Sequence, residues 1–403
     1  EKQPRGRLAR MKCLWGLLFL AWAAMVPAAD AQLGGVQLPQ VPNVGDVLDR
    51  AADPLAEATD RAAERLHDAR RLQVRTLLRT HRRELEADPA GQPIVRSQIL
   101  GLDMSADAIA AARARGFEIV RTDSIDGALS LTTLRAPPDM PTRRALRLLR
   151  ELDGQATYDF DHLHLESGAA AAVASFAQAG VSGGGPRIGL IDGGVDGPVA
   201  AQRAFAGDAP VRNAHGVLVA ELIRRAAPGA RIYAADIYAG VPTGGASSAL
   251  ARALSWLAGE NVAVINVSLV GPRNRVVEAV VQRLTGRGFV IVAAVGNDGP
   301  AADPLFPAAY DGVVGVTGVD AYDRVLAEAG RGAQVDFAAL GIHGRARGTS
   351  FAAPIVAARL ATGMAAPNAE QAARAIATIR SEARDLGARG RDNVYGYGLV
   401  GAR

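Results

Sequence analysis

Cysteine is almost absent: the 403 residues hold one, Cys13, inside an apolar N-terminal run. Neither a disulfide framework nor a catalytic thiol further along the chain is therefore available. Aromatic residues make up only 5% of a chain that is 49% hydrophobic, so its core must be built mostly from Ala, Val, Leu and Ile. Lysine occurs only at Lys2 and Lys12, which leaves arginine to carry nearly all the positive charge. The formal net charge is +4, but residues 1–31 hold five positive and two negative groups, leaving 40 against 39 for the remainder, a net +1. No basic block interleaved with aromatics occurs, so nucleic acid is not an expected partner.

What is present begins with a targeting pattern. Arg5, Arg7, Arg10 and Lys12 precede "CLWGLLFLAWAAMV", and Ala29-Asp30-Ala31 fits a small-residue cleavage site. Met11 is the expected start. The apolar run is short for a membrane span, so residues 1–31 read as a signal peptide, with an uncleaved anchor left open. The expected location is exported, periplasmic or extracellular.

Residues 32–93 form a charged arm with helical patterning between about 43 and 90, where apolar positions include Leu48, Leu55, Leu66, Val74 and Leu78, and it reads either as one or two docking amphipathic helices or as a solvated, partly disordered arm. From 94 to 167 the order is strand ("IVRSQILGL"), helix ("SADAIAAARARG"), strands ("FEIVRT", "ALSLTTLRA"), helix ("MPTRRALRLLRELDG") and strand ("ATYDFDHLHL"). That β-α-β-β-α-β order predicts a small α+β ferredoxin-like domain. Residues 168–185 are an Ala/Gly-rich linker. From 186 to 403 the apolar strands "RIGLID", "RIYAADIY", "VAVINVSL", "FVIVAAV" and "GVVGVTGV" alternate with helices near 215–227, 246–259 and 274–287, and a long last helix is expected from about 350. Such strands predict an α/β doubly wound parallel sheet covered on both faces, with its site at the carboxyl ends of the strands.

Three residues stand where such a site requires them. Asp192 ends the first strand, His215 opens the next helix, and Ser350 opens the last in "GTSFAAP". A serine becomes a nucleophile when an imidazole takes its proton, and a buried carboxylate orients that imidazole. The order Asp, His, Ser is one in which such triads occur. Asn297, in "VAAVGNDGP", supplies a side-chain amide able to donate to an oxyanion. Each residue also has a plainer reading: Ser350 as a helix cap, Asp192 and Asn297 as turn formers. Asp196 and His343 read as turn and surface residues. His162 and His164 share a strand face, which offers a metal two ligands without a third, and they read as solvent-exposed.

Together "LIDGGVD", "HGVLVA", "INVSLVGP", "AAVGNDGP", "GTSFAAP" and "YGYGLVGA" resemble the subtilisin-like serine proteases from Pro186 to the C-terminus. The resemblance implies an endopeptidase acting on peptide or protein substrates through an acyl-enzyme, with Ser350 as nucleophile, His215 as base, Asp192 as orienter and Asn297 as oxyanion donor. It implies that Ser268, Leu269, Val270 and Gly271 pair with substrate, and that Ala294, Val295 and Gly296 form another pocket wall. It also implies that the ferredoxin-like unit is a propeptide that chaperones and inhibits its own chain, its last strand leading into the cleft and cleavage falling between about 165 and 180. The protein is expected to be monomeric. No cofactor is required; family members often bind calcium, and the acidic residues here form no recognisable loop for it.

The chain departs from the family at Gly193, Val217, Leu218, Val270, Phe351 and Ile355, none of which removes a catalytic atom. The pocket walls hold Ala, Val and Gly, with Asp298 the one nearby carboxylate, so a small or medium apolar residue is expected before the scissile bond. Two further readings stay open, a catalytically decayed binding protein on this fold and a nucleotide-binding α/β protein. The second is weakened because "DGGVDG" lacks both the phosphate-loop lysine and the G-x-G-x-x-G spacing.

Overall fold

The computed structural model describes residues 70–167 and 184–401. The expected signal region, most of the arm and nearly all of the linker lie outside the described residues, and the described residues fall in one compact unit.

A helix over residues 70–80 (α1) leads into an antiparallel sheet. Its elements are β1 (Leu85–Ala87), β2 (Pro93–Leu102), α2 (Ala106–Ala114), β3 (Glu118–Ile125), β4 (Leu129–Arg135), α3 (Thr142–Leu152) and β5 (Thr157–His162). Strand β2 is central: it pairs with β5 on one side and β4 on the other, β3 extends the sheet beyond β4, and β1 pairs with the first residues of β2. This is the expected ferredoxin-like unit, except that β1 brings its start forward from 94 to 85. Ser105 caps α2 by accepting from the Ala108 N–H. Asp126 and Gly127, with φ of 53° and 65°, make the β3–β4 turn that Asp-Gly favours.

Strand alternation divides the side chains of this sheet between two cores. Ile99, Leu134 and Phe160 pack beneath α2 and α3 against Ala112, Ala145 and Leu149. Leu100, Leu102, Ile125 and Leu131 point the other way and join the core of the C-terminal domain through Leu254, Leu257, Val277 and Val281. Each fully buried Leu or Ile is worth about 1.5–3 kcal/mol relative to exposure. The two domains are thus joined mainly by a shared core, to which ion pairs such as Asp126 with Arg283 and Arg287 add at the rim.

The C-terminal domain centres on seven parallel strands: β7 (Arg187–Asp192), β8 (Ala201–Ala204), β9 (Arg231–Asp236), β10 (Val264–Val267), β12 (Val290–Ala294), β13 (Val314–Val319) and β14 (Phe337–Leu340). Their spatial order is β14-β13-β12-β10-β7-β9-β8. Helices α4 (Ala214–Ala226), α7 (Ala353–Ala361) and α8 (Ala369–Glu382) cover one face, burying Leu218, Val219, Val356, Leu360 and Ile379 against Ile188, Leu190, Val264 and Val292. Helices α5 (Ser247–Gly259) and α6 (Arg275–Gly286) cover the other, against Ile191, Ile265, Val267 and Ile291. The doubly wound reading holds. The long last helix does not: Ser350 lies on a 3-10 turn (Thr349–Phe351), α7 follows, and Gly363 and Pro367 break the chain before Asn368 caps α8. Strands β8 and β14 are short edge strands, β8 paired with β9 alone and β14 with β13 and, through Ala338, the segment at Leu399, and their local patterns gave no sign of them.

Strand β5 also completes two helices of the other domain. Helix α5 has Ala246 at its N-cap, without a side-chain bond, and Asp161 supplies the missing acceptor by taking the Ser248 N–H at 2.9 Å and its hydroxyl at 2.7 Å. Asp159 takes the Arg275 N–H of α6 at 2.7 Å, beside the Asn274 cap. Both carboxylates meet free backbone donors at the positive ends of helix dipoles. Asp161→Ala is expected to cost about 1–2 kcal/mol of stability, read as a lower urea midpoint for the full chain; an unchanged midpoint would refute the capping role.

Candidate active site

Asp192 terminates β7 at the carboxyl edge of the sheet. Asn213 caps α4, its Oδ1 accepting from the N–H groups of His215 and Gly216, and so presents His215 in the first turn. Gly348, at φ 149°, lets the chain turn into the 3-10 segment that carries Ser350. The three side chains converge from these elements and are sealed from solvent, at 1%, 1% and 0% exposure. His215 Nδ1 lies 2.9 and 3.0 Å from the two Asp192 oxygens, and Nε2 lies 2.9 Å from Ser350 Oγ. Nδ1–H donating to the carboxylate leaves the Nε2 lone pair for the serine proton. The Phe351 ring packs on the imidazole, with centroids 5.2 Å apart. Burial opposes charging of His215, but Asp192, by charge and hydrogen bond, and Glu166 outweigh it and hold the pKa above the ordinary histidine value.

The cleft is filled by the chain itself. Leu165–Glu166 form a strand, β6, that pairs antiparallel with β11 (Leu269–Val270), Glu166 opposite Leu269 and Leu165 opposite Val270. The Ser167 N–H donates to the Ser268 carbonyl at 3.4 Å, and the Ser167 carbonyl accepts from the Ser350 N–H at 3.3 Å. Ser268 Oγ donates to the Ser350 carbonyl at 3.0 Å, bracing the turn that carries Ser350. Asn297 Nδ2 donates to Ser167 Oγ at 2.9 Å while its Oδ1 accepts from the Thr349 N–H at 3.0 Å. The amide is thus at the Ser167 end of the strand, on that residue's hydroxyl rather than its carbonyl. Upstream, the His164 N–H donates to the Gly245 carbonyl and Tyr238 donates to the His164 carbonyl.

Most residues singled out in the sequence therefore meet at one place. Ser268, Leu269 and Val270 meet residues 165–167 through their backbone, and Gly271 is needed where it stands, because a Cβ there would lie 2.6 Å from the His164 ring. Ala294 and Val295 are buried at the end of β12, and the Gly296 N–H donates to Thr349 Oγ1. Asp298 turns to Arg70 of α1, at 2.9 Å. Asp196 pairs with Arg212, and His343 bonds the Leu340 carbonyl.

The two strand histidines differ from expectation. His162 is 4% exposed and His164 is fully buried, because β5 and β6 lie between domains. Their rings part: His162 meets Asp88 and Asn274, whereas His164 donates through Nδ1 to the Gly245 carbonyl. Glu166, Ser167, Asn213, Gly245 and Tyr238 were not singled out in the sequence. Only the expectation that "HLHL" leads into the cleft pointed toward them.

The profile of the subtilase family (Peptidase_S8) matches residues 199–398, which include His215, Asn297 and Ser350. The minor extracellular protease Epr of Bacillus subtilis (strain 168) is 29% identical over 208 residues, spanning 47% of this chain and 32% of that protein. Subtilisin BL of Lederbergia lenta is 28% identical over 250 residues, 55% of this chain and 91% of that protein. In fold, the chain is similar to fervidolysin from Fervidobacterium pennivorans, a keratinolytic enzyme related to subtilisin, with a TM-score of 0.64 at 18% identity over 78% of this chain and 61% of that one. With the seven-stranded parallel sheet beneath it, the matched profile and these relatives establish that the chain carries a subtilisin-like serine protease domain of the subtilase family.

Proposed function

We propose that the protein is an exported serine endopeptidase made as a zymogen, in which Ser350, His215 and Asp192 cleave the chain's own junction after Ser167. The observation that carries this reading is the Ser167 carbonyl accepting from the Ser350 N–H while His215 Nε2 stands 2.9 Å from Ser350 Oγ. A carbonyl so held is polarised next to the nucleophile. The domain over 85–167 then acts as propeptide: it shares a core with the peptidase domain, caps α5 and α6, and lays its last strand in the cleft. Export rests on the basic, apolar and Ala-Asp-Ala pattern of residues 1–31, and Epr, a relative, is described as extracellular.

The full chain, followed by intact mass and by a serine-directed fluorophosphonate, is expected to yield a fragment beginning at Gly168 and to carry label on Ser350. A product ending well downstream of 167, or label elsewhere, would overturn the assignment. The small Ser167 side chain meets Asn297 and, at 3.3 Å, Thr349 Oγ1. Substrates with Ser or Ala before the scissile bond are therefore expected to have the higher kcat/KM. A peptide panel that favoured Arg would remove this reading of the pocket.

A further inference from the structure

Glu166 enters the cleft from the substrate side, yet its carboxylate reaches the catalytic pair. Glu166, Asp192 and His215 each present one oxygen or ring nitrogen within 4.8 Å of the others. Asn213 Nδ2 donates to Glu166 Oε1 at 2.6 Å, so the residue whose Oδ1 caps α4 beneath His215 also holds this carboxylate. The groups around it are Asp192 from β7, His215 from α4 and, after β9, the buried Tyr238 phenol, which in turn lies near Asp236 and Arg70. Among the groups acting on Glu166, His215 is the one that lowers its pKa by charge. One imidazole is thus flanked by two carboxylates.

We propose that Glu166 is a positioning residue that withholds the catalytic base from self-cleavage: held by Asn213, its carboxylate pairs with the imidazolium of His215 and delays cleavage until that proton is lost. This rests on the reading that Ser350 cleaves the chain after Ser167. Two flanking carboxylates favour the charged ring, and a charged ring has no lone pair for the Ser350 proton. As pH rises, the imidazolium gives its proton to solvent. His215 Nε2 then takes the hydroxyl proton while Ser350 Oγ bonds to the Ser167 carbonyl carbon. The bond to Gly168 breaks as that proton passes to the leaving amine, and water later releases the acyl group.

Burial, then Asp192, raise the Glu166 pKa while His215 lowers it, and Glu166 in turn helps raise that of His215. A raised base pKa moves the acid limb of self-cleavage to higher pH, and Glu166→Gln, which retains an acceptor for Asn213, should move it down.

The test is the first-order rate of self-cleavage of the full chain across the pH range, for wild type, Glu166→Gln, Glu166→Ala and Ser350→Ala. Both Glu166 variants are expected to cleave on the order of tenfold faster than wild type on the acid limb, the ratio that a one-unit displacement gives, and to converge with it at alkaline pH. Having two variants keeps the result readable if one fails to fold. Superimposable pH profiles, or a change of equal size at every pH, would overturn the role of Glu166 while Ser350→Ala stays intact. Cleavage in Ser350→Ala, or none in wild type at any pH, would instead remove the reading beneath it.

Discussion

Ser350→Ala is expected to slow self-cleavage of the full chain by roughly 10⁶-fold, and His215→Ala by a similar factor, the scale known for removal of either group in subtilisin. The reason lies in how the three side chains depend on one another. Without the 2.9 Å contact to His215 Nε2, Ser350 keeps its proton and is a weak nucleophile. Without Ser350, the imidazole has nothing to activate. Because the members act as a unit, the double variant should be no slower than either single one. Asp192→Asn should cost about 10⁴-fold, since an amide at 2.9 Å from Nδ1 favours the wrong tautomer. Intact mass over time measures all four chains without separately matured enzyme. Additive losses, or a Ser350→Ala chain that still matures, would mean that another group performs the attack.

Asn297→Ala is expected to reduce kcat by about 10²–10³-fold on a peptide substrate, with KM little changed. Its amide stands at the Ser167 end of the strand, on the hydroxyl 2.9 Å away, while the Ser350 N–H already meets the carbonyl. As the carbonyl carbon becomes tetrahedral, its oxygen gains charge and the amide can turn to it, an interaction made mainly in the transition state. The same residue also accepts from the Thr349 N–H, so the alanine variant leaves that donor without its partner at a cost of about 1–3 kcal/mol. Asn297→Asp separates these effects because it keeps the acceptor and loses the donor. It should fold as wild type does and lose activity at least as deeply. An active Asp variant would show that the amide does not stabilise the oxyanion.

Much of this molecule is legible along its chain. Val-rich runs bounded by Gly and Pro marked the buried parallel strands, and Asp192 could be placed at a strand end because β7 begins and ends within "RIGLID". Ser105 announces its helix through side-chain capping, which is a local interaction. Position in the pattern thus singled out Asp192, His215 and Ser350, since each sits at the boundary of an element whose periodicity is local.

The strand that fills the cleft was only partly legible. "HLHL" alternates like any exposed edge, and no local rule marks Glu166 or Ser167, because their partners Asn213 and Ser350 lie far along the chain. The burial of His162 and His164, and the capping of α5 by Asp161, have the same cause: two domains close over β5 and β6. Local sequence determined most strands and helices and the caps that a helix takes from its own preceding residue, and placed Asp192, His215 and Ser350 at element ends, because hydrophobic periodicity and capping act within a few residues. Tertiary structure alone decided which residues face the triad and in what charge environment, because those contacts join segments 47 to 183 residues apart whose docking leaves no periodic trace.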